Sequence, residues 1–120
     1  MGLSIATTLL AIAVAIGSFL AVRRRGHLPS LAVGGLHGTL GLGGLAWLTY
    51  LLPGSHRGAS TGSQSFGAIA AVLLAAAALV GLAMLAVHVR ARRLPGALVG
   101  IHATLAVSGF VILLAYAMLG

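Results

Sequence analysis

Two histidines sit inside apolar runs long enough to cross a bilayer, each in a similar glycine-rich setting. Residues Gly34 to Gly44 read GGLHGTLGLGG, and residues Gly100 to Gly109 read GIHATLAVSG. Setting His37 on His102 pairs Gly35 with Gly100, Thr39 with Thr104, Gly41 with Ala106 and Gly44 with Gly109. An ionisable group at membrane depth is costly and usually functional. Two imidazoles on two helices offer a pair of axial metal ligands, and the chemistry they predict is bis-histidine coordination of one haem b.

Three physical points support that expectation. His37 lies eight residues after Pro29 and His102 seven after Pro95, which is about 12 and 10 Å along a helix, so the imidazoles share one level. In a bundle of four consecutive short-looped helices, the second and fourth are diagonal partners. Diagonal axes lie roughly 11–14 Å apart. That gap suits two imidazoles with an iron between them and is too wide for the rings to touch. Beside the histidines, Gly34, Gly41 and Gly44 on one helix, and Ala106 and Gly109 on the other, share the histidine face and leave room for a flat macrocycle. The first and third helices add Ala15, Gly17, Ser18, Ala77, Ala78 and Gly81 at similar depth. The propionates need cations, and Arg23, Arg24, Arg25, Arg90, Arg92 and Arg93 stand at the same end, with His27 and His88 nearby.

Each feature also has a plainer use. Small residues at helical spacing let membrane helices pack closely, and arginine clusters beside apolar runs report topology. A single membrane histidine also serves as a hydrogen-bonding or proton-relay group, and one histidine suffices to hold a chlorophyll-type pigment through magnesium. His56 reads as a surface group, and Met84 and Met118 as packing residues.

The elements that carry these residues follow from composition. The chain has 120 residues, 60% hydrophobic and only 6% charged, with a mean hydropathy of +1.16. A soluble domain carries about a quarter charged residues. All seven charges are arginine, with no Asp, Glu or Cys. The high isoelectric point therefore reflects missing acids, and nucleic-acid binding is not expected. The lack of cysteine excludes disulfides, iron–sulfur clusters and covalent haem attachment.

Four apolar runs, about residues 3–22, 28–52, 65–89 and 94–119, each reach the roughly 20 residues that a spanning helix needs. They predict one all-α transmembrane domain over 1–120, an up-down-up-down bundle of two repeated helical hairpins. The first run has no basic segment before it, so it reads as a retained helix rather than a signal peptide. Pro29 and Pro95 are expected in the first turns of helices 2 and 4, and Pro53-Gly54 ends helix 2. Six of the seven arginines fall in the first and third connections. The positive-inside rule places those loops in the cytoplasm and both termini outside, in a bacterial inner membrane. Trp47, Tyr50 and Tyr116 are expected at the outer interface.

The pattern G-x-H-[GA]-T-L-[GA], at Gly35–Gly41 and Gly100–Ala106, resembles the small four-helix b-type cytochrome subunits of bacterial membranes. These are similar in plan to cytochrome b561-like domains and to the haem-bearing anchors of succinate dehydrogenase. The resemblance implies an electron-transfer subunit rather than a catalytic one, working with other membrane or peripheral redox subunits. Quinone is a second candidate ligand, with His27, His88 and the arginines as donors. The chain departs from di-haem members in lacking a second histidine pair. A cofactor-free accessory subunit of a respiratory or photosynthetic complex is the alternative. A small transporter ranks last, because a proton-coupled exporter needs a membrane carboxylate.

Overall fold

A computed structural model describes residues 1–24 and 28–120. Arg25 and His27, two of the expected cofactor neighbours, lie outside the described residues. Helix α1 spans Gly2–Arg23, α2 Leu31–Leu51, α3 Gln64–Ala91 and α4 Gly96–Leu119. Each is long and apolar enough to cross a membrane. The fold measures 49 Å along its longest axis, matching a bilayer of about 40–45 Å with its headgroups.

Large apolar side chains stand exposed along all four helices, among them Phe19, Leu36, Val72, Leu79 and Val111. A water-soluble protein would not tolerate that much exposed apolar surface. The chain is a multi-pass membrane protein by this measure.

The helix limits correct the expected ones at two prolines. Ser30 and Pro95 are the N-cap residues, both in extended conformation, with ψ of 129° and 131°. Pro29 thus precedes α2 and Pro95 precedes the first turn of α4. The carbonyls of Ser30 and Pro95 accept the first helical hydrogen bonds, from Gly34 and Val99.

Helix α1 packs chiefly on α2, and α3 on α4; α1–α4 and α2–α3 contacts are sparser. The core lies toward the end bearing residues 54–63, called here the loop end. Ala6, Leu10, Leu48, Ala70, Leu74 and Leu113 fill it. Tyr116 belongs to this core, only 3% exposed, and its hydroxyl meets Ser55 Oγ at 3.0 Å. Tyr116 lies near the end of α4, and Ser55 satisfies its hydroxyl, so the ring is buried in the bundle rather than exposed. Tyr50 is exposed, and Trp47 donates from Nε1 to Gly2 O at 3.0 Å.

The loop is tied to the end of α4. Arg57 donates to Tyr116 O at 3.3 Å and to Ala117 O at 2.6 Å, a cation placed at the negative end of a helix dipole. Gly58 has φ +79° and the Ser63 hydroxyl 2.5 Å from where its Cβ would be. Only glycine satisfies both demands.

Candidate functional site: a facing histidine pair

Toward the other end, bearing Arg23, Arg24, Arg90, Arg92 and Arg93, small residues replace the leucines. Here His37 lies against α1. Its Nδ1 is 2.8 Å from Ala13 O. A carbonyl can only accept, so Nδ1 carries a proton, and in the neutral ring Nε2 keeps its lone pair. Gly17, four residues after Ala13, makes this possible: a Cβ there would lie 2.8 Å from His37 Cε1. With no side chain at that position the imidazole reaches a helical carbonyl that already serves the backbone, using its second lone pair.

The other helix pair makes the corresponding contacts. His102 Nδ1 lies 2.8 Å from Ala77 O, and a Cβ on Gly81 would meet His102 Cε1 at 3.2 Å. Both rings therefore hold the same tautomer. The ring centroids are 5.8 Å apart with planes at 76°. This corrects the expectation that the rings would stand too far apart to interact, since 5.8 Å is within the range of aromatic pairs. Each side chain leans onto the preceding helix, His37 on α1 and His102 on α3.

The pair borders a cavity of about 880 Å³ lined by all four helices, within the size range of cofactor sites. Gly34, Gly41 and Ala106 line it, with Gly17, Ser18, Ala77, Ala78 and Gly81; Ala15 does not. Gly44 and Gly109 do not line it either. A Cβ on Gly44 would meet Leu10 Cγ at 2.7 Å, and one on Gly109 would meet Leu74 Cγ at 2.9 Å. These glycines are packing residues of the core, below the point where the cavity closes.

The arginines divide in a similar way. Arg24 lines the cavity. Arg23 instead sits over the Phe19 ring, 5.0 Å from its centroid. Arg90, Arg92 and Arg93, also expected as cofactor contacts, are exposed and do not line the cavity. Arg92 ends α3 in the left-handed conformation, with φ 51°. His88, Ser30 and Met84 also line the cavity.

Among the described residues no group of three or more His, Cys, Asp or Glu comes together. A structural zinc centre takes four protein ligands and a catalytic one three. A tetrapyrrole brings four nitrogens of its own and needs only two imidazoles, which is the set this chain offers.

Two features of the site were missed in the sequence. The carbonyls of Ala13 and Ala77 carry no side-chain signature, yet a local one exists. Residues 9–17 and 73–81 both read L-L-A-x-A-x-x-x-G, and this pattern places the carbonyl, the glycine and the leucines that pack on Gly44 or Gly109. No family model, no curated protein and no solved structure matches this chain.

Proposed function

We propose that this protein is a b-type cytochrome subunit in which His37 and His102 hold one haem b. The observation that carries the reading is the pair of Nδ1–H bonds to Ala13 O and Ala77 O beside the shared cavity. A backbone carbonyl on the far nitrogen fixes ring orientation and makes Nε2 the more basic donor, as at many metal-bound histidines. The haem would supply one-electron redox chemistry. If both histidines hold the group, no site would remain on it for oxygen or a substrate. The chain would bind and orient the group without reacting.

In this reading the chain is two copies of a helical hairpin in up-down-up-down order. Matched contacts support it: Ala13–His37 with Ala77–His102, and Leu10–Gly44 with Leu74–Gly109. The arginine-rich connections face the cytoplasm of a bacterial inner membrane, with both termini outside. Electron partners are other membrane or peripheral redox subunits, and quinone is a second ligand to test.

The edge contact between the rings, with both Nδ1 atoms already satisfied, also suits a cofactor-free accessory subunit. Reconstitution with haem b separates the two. The wild-type protein should take up about one equivalent and give a low-spin reduced b-type spectrum. His37→Ala and His102→Ala should each abolish that spectrum while retaining helical content. A wild-type protein that binds no haem in a pyridine haemochrome assay overturns the haem reading.

A further inference from the structure

Ties between the helix pair α1–α2 and the pair α3–α4 are unevenly placed. At the loop end they are dense. Gly67 of α3 admits Leu52 and Tyr116 together: a Cβ there would lie 2.6 Å from Leu52 Cδ2 and 3.0 Å from Tyr116 Cζ. Ser55, just past α2, meets the Tyr116 hydroxyl, and Thr61 donates to Leu119 O at 3.1 Å. Leu45 and Phe110 add to the buried leucines. Toward the arginines these ties run out. Each histidine is bonded inside its own pair, His37 to α1 and His102 to α3. Among the described residues, no hydrogen bond joins the two pairs at this end. The contacts that do cross include the edge contact of the rings and the Arg24 side chain beside Gly96. Gly34 and Gly38, on the cavity wall, have nothing within 4 Å of where a Cβ would stand. No side chain of the other pair packs on α2 at those positions.

We propose that the two helix pairs are rigid arms pivoting at the loop end, and that the arginine end opens and closes between them around the cavity. Regions with few buried contacts open at low cost, and tilting of packed helices about a fixed end is a known form of closure. Each arm carries one histidine, so a group held by both would staple the arms together. The stapling rests on the bis-histidine reading above; the pivot stands without it. A tilt of about 10° over the roughly 21 Å of helix from Ala46 to Ala32 would shift the open end by about 4 Å.

The test measures distances between spin labels by double electron–electron resonance, on the full chain in nanodiscs. The chain has no cysteine, so labels attach only where cysteines are placed. Ala32→Cys with Ala97→Cys reports on the arginine end, and Ala46→Cys with Val111→Cys on the loop end; all four positions are exposed. Without haem, the first pair should show a distance distribution about two-fold wider than the second. Added haem b should narrow the first distribution toward the width of the second and leave the second unchanged. Equal widths in the haem-free protein overturn the pivot, whatever haem does. A first pair that stays wide although haem b gives a low-spin spectrum overturns the stapling. A wide first pair in a protein that takes up no haem upholds the pivot and overturns the bis-histidine reading.

Discussion

At the loop end the four helices meet through Leu10, Leu48, Leu74 and Leu113, all at most 6% exposed. Further along the same helices, toward the arginines, the facing positions are Ala13, Gly17, Ala77 and Gly81, and the helices border a half-open cavity. The contrast assigns different work to the two halves. Leucines at one end hold α1–α2 and α3–α4 together, so the other end can stay open around two imidazoles. Functional sites generally compromise local packing, and the remainder of a fold must compensate.

The largest expected effect breaks this contrast from the packed side. Leu113→Ala or Leu48→Ala removes a side chain with no exposed surface. In a membrane the lost term is dispersion rather than hydration, because lipid tails are as apolar as leucine. The cost should therefore fall near the low end of the soluble-core range, about 2 kcal/mol each. Leu82→Ala, at the cavity wall and 50% exposed, should cost less than about 0.5 kcal/mol. Reversible unfolding by sodium dodecyl sulfate in mixed micelles measures both. Equal losses would mean that stability is spread evenly along the bundle.

Glycines sharpen the comparison, since one residue type does opposite things in the two halves. Gly44→Ala would drive a methyl to 2.7 Å from Leu10 Cγ and 3.2 Å from Leu9 Cβ. Overpacking of this kind should cost about 1.5 kcal/mol. Around Gly38 nothing lies within 4 Å of the place a methyl would take. Gly38→Ala should be neutral or gain up to about 1 kcal/mol from helix propensity. The same unfolding assay reads the pair, and a destabilised Gly38→Ala would count against an open wall there.

The four helices and the histidine pair were legible because both rest on strong local signals: apolar runs of spanning length, and an ionisable residue repeated in one setting. Depth along a shared face was not legible. Gly44 is seven residues from His37 and lies on its face, yet the bundle has already closed at that level around Leu9 and Leu10. Nothing in the residue type of Gly44 distinguishes it from Gly41, which borders the cavity; the leucines opposite decide. The arginines escaped for a related reason. Where a side chain turns after a helix ends depends on the path of the connection. Arg24 reaches Gly96 while its neighbour Arg23 folds back on Phe19. The burial of Tyr116 was not legible because its partner, Ser55, is distant in sequence.

The smallest effect asks whether the two imidazoles are held equally. A methyl on Gly17 would lie 2.8 Å from His37 Cε1, and one on Gly81 3.2 Å from His102 Cε1. The first distance forces the ring to move, whereas the second asks for a few tenths of an ångström. Gly17→Ala should therefore stretch or break the His37–Ala13 bond, costing about 1 kcal/mol, the net worth of a typical hydrogen bond. Gly81→Ala should leave the His102–Ala77 bond in place. Nitrogen-15 NMR of labelled histidines in the apo protein reads the Nδ1–H environment of each ring without any cofactor. A shift at His37 in Gly17→Ala, larger than that at His102 in Gly81→Ala, would show that the α1–α2 seat is the tighter one. Identical responses would mean that both helix pairs relax alike, and that the difference of 0.4 Å between the seats, 3.2 less 2.8 Å, carries no consequence.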